Sequence, residues 1–153
     1  MGYPEEFGGT LEGIDSWHIW IANEELARIG VGGIPASLMV HGIGLPPVLN
    51  WGSQALKELV APQVLAGTMH IALGITEPGG GSDVAQLQTT AVRDGDHYVV
   101  NGSKTYITGG MRANWVSTAV RTGGAGAGGV SMLLIPTDTS GFSRTELDRK
   151  QGW

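Results

Sequence analysis

The stretch ITEPGGGSD, residues 75–83, places three consecutive glycines between a proline and a Ser-Asp pair, at the end of the apolar run IALGI. Glycines lack side chains that would hold a ligand away from the backbone N–H groups, and Thr76 and Ser82 offer hydroxyls beside them. The loop therefore suits a phosphate group or the edge of a flat heteroaromatic ring. A simple glycine-rich turn fits the same residues equally well, so the spacing alone does not name a ligand.

Upstream of this stretch, the pattern predicts helices. Apolar residues recur at three- and four-residue steps over residues 11–29, with Thr10 or Asp15 as the N-cap and Gly30 just past the end. The segment SQALKELVAPQVLAG, residues 53–67, predicts two short helices, the first capped by Ser53 and the second beginning at Pro62. Between these segments the run GIGLPPVLNWG has no clean period, and its two prolines end any helix before them.

Downstream of residue 69, the pattern predicts strands. TTAVR and HYVVNG flank an Asp-Gly turn and predict a hairpin, and a second turn at Asn101-Gly102 leads into a predicted strand, KTYIT. NWVSTAVRT and VSMLLIP predict two more strands, joined by GGAGAGG. We therefore expect an α+β chain in two units. Residues 1–68 form an all-α segment, and residues 69–153 form an incomplete middle domain resembling an antiparallel β-barrel.

Composition excludes several classes of protein. The formal charge is −5, from 9 basic and 14 acidic residues, which argues against nucleic-acid binding. No cysteine is present, so disulfides and thiol nucleophiles are excluded, and the four scattered histidines predict no metal site. We expect no signal peptide, because the start MGYPEEFGG has neither a basic region nor an apolar one, and no apolar run approaches the roughly 20 residues that span a membrane. The expected location is the cytoplasm, with the mitochondrial matrix as the alternative.

Two further motifs have ordinary structural interpretations. Gly124, Gly126 and Gly129 match G-x-G-x-x-G, but a predicted strand follows them instead of a helix, which favours a hairpin loop over a dinucleotide site. Glu77 stands alone as a carboxylate, and such a residue more often forms loop hydrogen bonds than acts as a general acid or base.

Five blocks of the sequence, in order along the chain, resemble the acyl-CoA dehydrogenase family of flavoproteins. ITEPGGGSD is similar to the family signature Thr-Glu-Pro-Gly-x-Gly-Ser-Asp. The other blocks are GYPEEFGG, TTAVRDGDHYVVNGSKTYITGG, VSMLLIPTDTSGFSR and LDRKQGW. Together they cover nearly the whole chain, so the resemblance is far more specific than a single motif.

The resemblance implies oxidation of an acyl-CoA thioester to the 2-enoyl-CoA, as in fatty-acid β-oxidation. In the family, a glutamate removes the α-proton, FAD accepts the β-hydride, and an electron-transferring flavoprotein takes the electrons. Family members usually form homotetramers, and their catalytic glutamate lies in a C-terminal helical domain. We therefore expect this chain to be a fragment that contains no catalytic base and has no dehydrogenase activity alone.

The resemblance also implies site residues. Thr76 is expected to bond the flavin ring, the ring of Tyr106 to pack beside it, and Thr108 to approach flavin N5. Ser82 is expected to contact both FAD and the acyl-CoA, while Asp83 shapes the loop. The residues expected to bind FAD are Leu73, Ile75, Thr76, Gly81, Ser82, Tyr106, Ile107 and Thr108.

Two alternatives remain open at this level. A flavin oxidase or monooxygenase of the same scaffold could share several of these motifs. A non-catalytic remnant that keeps a flavin or acyl-CoA surface is the other alternative.

Overall fold

The computed structural model describes residues 2–148 and residue 150, so most of the C-terminal block LDRKQGW lies outside the described residues. Within them, the helices are α1 (Ser16–Ala27), α2 (Gly33–Met39), α3 (His41–Gly44), α4 (Pro46–Trp51) and α5 (Gln54–Leu65). The strands are β1 (Ile71–Gly74), β2 (Thr90–Asp94), β3 (His97–Asn101), β4 (Trp115–Arg121) and β5 (Val130–Pro136). The predicted order, helices first and strands second, is confirmed. No helix in this described part is long and apolar enough to cross a membrane.

Helix α1 begins at a reciprocal cap. The Asp15 carboxylate accepts hydrogen bonds from the N–H groups of Trp17 at 2.9 Å and His18 at 3.3 Å, while the His18 ring accepts one from the Asp15 N–H. Of the two predicted caps, Asp15 is therefore confirmed and Thr10 is not the cap. Gly30 follows the helix with a φ of +73°, as a left-handed terminating residue does.

The short helices α2 and α3 were not predicted individually, and prolines mark two further differences in the helical part. The predicted break at Pro62 is wrong, because α5 runs through it with Ser53 as its N-cap. The helix stays continuous because Val60, Ala61 and Val64 are buried together on one face. Helix α4, which the sequence did not predict, begins at Pro46, where a proline loses nothing because the first N–H groups of a helix lack intrahelical partners.

The strands form one mixed, open sheet with β4 at its centre. Strand β4 pairs in parallel with β1, from Ile71↔Trp115 to Gly74↔Thr118, and antiparallel with β5 along its whole length. Strands β2 and β3 form the predicted hairpin, with Gly95 at φ +58° as the first of its two loop residues. The hairpin meets β4 at the pair Thr90↔Arg121. The sheet is thus not wholly antiparallel.

The predicted strand KTYIT is wrong. Residues 102–114 leave the sheet after β3, and Tyr106 takes a left-handed φ of +57° that no strand accommodates. The reason is that polar groups of this segment bond to the loop after β1: the Thr105 N–H donates to the Thr76 carbonyl at 2.8 Å. Alternating apolar and polar residues look the same in a strand and in a segment held by such distant contacts.

The helical part packs directly on the sheet. Its core contains Phe7, Leu45, Val48, Val60, Ala61, Val64 and, from β1, Ile71. At the junction the Ser117 hydroxyl donates to the Gly44 carbonyl at 2.7 Å, and a Cβ at Gly44 would lie 3.2 Å from the Ala72 backbone. This close approach fixes β1 against α3, and β1 in turn leads directly into ITEPGGGSD.

Candidate functional site

The glycine loop, residues 75–82, is both a tight turn and an open surface. Glu77 and Gly80 exchange two backbone hydrogen bonds, at 2.9 and 3.1 Å, which close the turn. A Cβ built on Gly79 or Gly80 would meet nothing within 4 Å, so these two glycines leave free space above the backbone. At Gly81 a Cβ would lie 3.0 Å from Thr76 Cγ2, so this glycine lets the chain pass close to the Thr76 side chain.

The Glu77 carboxylate ties three segments together. Glu77 is only 9% exposed, and its Oε1 accepts hydrogen bonds from Lys104 Nζ at 2.8 Å and from the Thr89 N–H at 2.9 Å. Its Oε2 accepts a bond from the Gln88 N–H at 2.6 Å. One side chain therefore connects the glycine loop, the start of β2 and the segment after β3.

These contacts set the ionisation of Glu77. Burial raises the pKa, but the hydrogen bonds from Lys104, Thr89 and Gln88 favour the anion more strongly, and the pKa of Glu77 falls from 4.5 to about 2. Glu77 is thus a stable anion at neutral pH whose oxygens are already bonded. This geometry agrees with a hydrogen-bonding loop residue and is unsuited to proton transfer.

Lys104 joins the glycine loop to the Tyr106 segment, residues 104–108. Besides its ion pair, Lys104 Nζ donates to the Ile75 carbonyl at 3.0 Å, and the next residue bonds to Thr76. The Lys104 side chain is 11% exposed. In the sequence this lysine is only the first residue of the predicted strand KTYIT, and no local signal identified its buried partner.

Tyr106 presents its ring to solvent from a strained backbone. Its side chain is 74% exposed, and of the described non-glycine residues it alone has a positive φ. A left-handed conformation costs an L-residue about 1 kcal/mol or more. Ile107 holds the segment from the other side, because it packs against Ala72, Ala113 and Val116 in the sheet core. The segment therefore points an aromatic ring outward while remaining fixed to the sheet.

The structure brings most of the expected site residues into two adjoining segments. Ile75, Thr76, Gly81 and Ser82 belong to the glycine loop, and Tyr106, Ile107 and Thr108 belong to the Tyr106 segment. Leu73 belongs to neither segment: it lies within β1 opposite Ser117, two residues before the glycine loop. Ser82 is exposed, and Thr76 and Thr108 are half-buried.

A groove of about 400 Å³ lies between the glycine loop and residues 83–88. Arg121, which sequence reasoning missed, holds the far wall of this groove: its guanidinium donates to the carbonyls of Ala85 at 2.7 Å and Leu87 at 3.1 Å. The same guanidinium donates to the carbonyls of Gly124 and Gly126. The glycine-rich run GGAGAGG is thus the predicted hairpin loop between β4 and β5, and its carbonyls surround an arginine.

Comparison with known proteins places both parts of the chain in one family. The family described as "Acyl-CoA dehydrogenase, N-terminal domain" matches residues 1–68, and "Acyl-CoA dehydrogenase, middle domain" matches residues 72–153. The acyl-CoA dehydrogenase apdG of Emericella nidulans is 42% identical over 139 residues, which cover 89% of this chain and 32% of that protein. The chain spans about a third of the length of the curated relatives it matches.

Solved structures agree in fold. A putative acyl-CoA dehydrogenase from Mycobacterium smegmatis superposes with a TM-score of 0.89 at 49% identity, over 97% of this chain and 39% of that one. A glutaryl-CoA dehydrogenase from the same organism, solved in complex with FADH2, gives a TM-score of 0.64 at 35% identity, over 69% of this chain and 26% of that one.

Proposed function

The chain belongs to the acyl-CoA dehydrogenase family, and we propose that it supplies part of the FAD site of an enzyme that oxidises acyl-CoA thioesters to 2-enoyl-CoA. One observation carries the proposal. The glycine loop and the Tyr106 segment, which contain seven of the eight expected flavin contacts, are joined through Lys104 and the Thr105 N–H. Two segments that are far apart in sequence are thus held next to each other.

The residues present fit a flavin. The exposed ring of Tyr106 offers an aromatic face for packing against a flat heteroaromatic system. The open space above Gly79 and Gly80 admits a ligand close to the backbone, and a side chain at either position would occupy that space. Hydroxyls at Thr76, Ser82 and Thr108 supply hydrogen-bonding groups along the same surface.

FAD, when bound, supplies the hydride acceptor for the α,β-dehydrogenation. The chain's own residues bind and orient it. We assign hydrogen bonds to the Thr76 and Thr108 hydroxyls, ring packing to Tyr106, and an apolar border to Leu73, Ile75 and Ile107. Gly81 keeps the backbone near Thr76, and Ser82 contacts both the cofactor and the acyl-CoA. Hydrogen bonds at the ring edge stabilise the charge that a reduced flavin carries.

Glu77 does not serve as the base in this proposal. Its two oxygens accept three hydrogen bonds, and its pKa of about 2 makes it a weak proton acceptor. We therefore propose that the α-proton is taken by a carboxylate outside the loops described above. The 153-residue chain alone is then expected to have no dehydrogenase activity.

The remaining assignments follow from family membership. We propose that residues 1–68 and 69–153 belong to separate domains, with the boundary before β1. We further propose a homo-oligomeric enzyme, located in the cytoplasm or the mitochondrial matrix, that passes its electrons to an electron-transferring flavoprotein.

The test is flavin binding and reduction in the protein expressed at its full natural length. We expect the purified protein to bind FAD and to lose its visible flavin absorbance when an acyl-CoA is added without oxygen. A Tyr106→Gly variant removes the packing ring from the same backbone and should bind FAD more weakly. A protein that folds but takes up no FAD would contradict the proposal. Retention of FAD without reduction by any acyl-CoA would instead contradict the assigned reaction.

A further inference from the structure

Lys104 lies where the two flavin-contacting segments and the start of β2 converge. Its ammonium donates to the Ile75 carbonyl and to Glu77 Oε1, and Glu77 in turn accepts bonds from the backbone of Gln88 and Thr89. Thr76 stands between the two residues that Lys104 bonds. The ammonium is therefore bonded on both sides of Thr76, to the carbonyl of the residue before it and to the side chain of the residue after it.

Because the Lys104–Glu77 ion pair is buried, it adds little net stability to the fold. Both side chains are almost fully removed from water, at 11% and 9% exposure, and taking two charges out of water costs about as much as their attraction returns. A pair of apolar residues of similar size would hold the segments together as well. Unlike an apolar contact, the ion pair fixes the relative position of the two segments, because each hydrogen bond must reach one particular acceptor.

The Tyr106 segment needs contacts that fix its position. Tyr106 is two residues beyond Lys104 and holds a left-handed φ of +57° that an unconstrained chain would leave. Lys104 and the Thr105 N–H fix one end of this segment to the glycine loop, and Ile107 fixes the other end in the sheet core.

We propose that Glu77 and Lys104 are positioning residues for the flavin: their buried ion pair sets the placement of Thr76 relative to Tyr106 and Thr108. This inference rests on the proposed function. Neither side chain has to touch the cofactor. The role is distinct from general stabilisation of the fold, because it predicts a change in the bound flavin itself.

The experiment compares Lys104→Met with two controls in the full-length protein. Lys104→Arg keeps a cation at the same position. Val60→Ala removes two methyl groups from a fully buried residue of α5 in the helical core, so it lowers stability away from both segments. FAD affinity is measured by fluorescence quenching at a temperature where circular dichroism shows every variant folded. The vibronic fine structure of the bound-flavin spectrum is recorded on the same samples.

We expect Lys104→Met to weaken FAD binding by about tenfold, the effect of losing one well-placed hydrogen bond, and to blur the fine structure of the flavin spectrum. Lys104→Arg should recover part of both, and Val60→Ala should lower only the melting temperature. The inference is wrong if Lys104→Met lowers the melting temperature as Val60→Ala does but keeps the wild-type affinity and spectrum.

Lys104→Met leaves Glu77 as a buried, unpaired anion and risks misfolding. The double variant Glu77→Gln/Lys104→Met removes both charges and avoids that risk, and it should show the same loss of FAD affinity. Wild-type affinity in a folded double variant would overturn the inference while leaving the proposed function intact. If the wild-type protein itself binds no FAD, the proposed function and this inference fail together.

Discussion

Replacing Glu77 by glutamine tests the physical account of the site most directly. Glutamine has nearly the same shape, but it carries no charge and only one acceptor oxygen. Its NH2 group must then face a backbone N–H or the Lys104 ammonium, both of which are donors. The variant therefore loses an ion pair and at least one hydrogen bond without opening a cavity.

The magnitude follows from the pKa of Glu77, which lies at about 2 in the folded protein instead of 4.5. Each pKa unit corresponds to 1.36 kcal/mol, so the folded state favours the anion by roughly 3 kcal/mol. Because the folded-state pKa is depressed, this contribution is fully present above pH 4.5 and is lost as the pH falls through 2. We expect the Glu77→Gln variant to be less stable by about 3 kcal/mol at pH 7.

The assay is urea denaturation of the wild-type protein and the Glu77→Gln variant at pH 7, 4.5 and 3. Other titrating groups contribute equally to both proteins, so the difference in the free energy of unfolding isolates Glu77. That difference should be constant from pH 7 to pH 4.5 and should shrink at pH 3. A difference that does not change with pH, or one below about 1 kcal/mol at pH 7, would refute the assigned charge state.

Three further substitutions test individual features. Gly81→Ala places a methyl group 3.0 Å from Thr76 Cγ2 and should weaken FAD binding several-fold. The control is Gly32→Ala before α2, where the methyl group extends into open space outside the glycine loop, so the affinity should not change; equal effects would show that the close approach at Gly81 is unimportant. Tyr106→Gly should weaken FAD binding but raise the free energy of unfolding by up to about 1 kcal/mol, because glycine adopts the left-handed φ without strain. Denaturation curves that show a loss of stability would argue against strain at this position. Arg121→Met removes hydrogen bonds to four carbonyls, so it should lower the free energy of unfolding by about 2 kcal/mol. Amide hydrogen exchange should become faster in residues 84–87 and 124–129, and unchanged exchange there would contradict the anchoring role of Arg121.

The features that the sequence predicted correctly depend on local contacts. Asp15 and Ser53 cap their helices through N–H groups two or three residues away, and Gly95 turns a hairpin whose strands are adjacent in sequence. The glycine loop was recognisable for the same reason, because its turn closes between Glu77 and Gly80. Each of these signals lies within a few residues of the structure it specifies.

The features that the sequence did not predict depend on distant partners. The parallel pairing of β1 with β4 joins residues 44 apart, such as Ile71 and Trp115. Lys104 looked like any polar residue of a strand until its partner, Glu77, was located 27 residues upstream. Pro62 read as a helix start because burial of the helix face around it was unknown. Because the contact between Lys104 and Glu77 was unknown, the segment that holds Tyr106 was predicted as a strand.

The β2–β3 hairpin is joined to the rest of the described sheet at one end. Its free end is the turn at Gly95, and its root is held by the pair Thr90↔Arg121 and by the two amides that bond Glu77. Five residue pairs, from Asp94↔His97 to Thr90↔Asn101, connect the turn to that root. Because the residues at the base of the hairpin bond to Glu77, a displacement of the hairpin is transmitted to the side chain that also bonds Lys104 in the segment after β3.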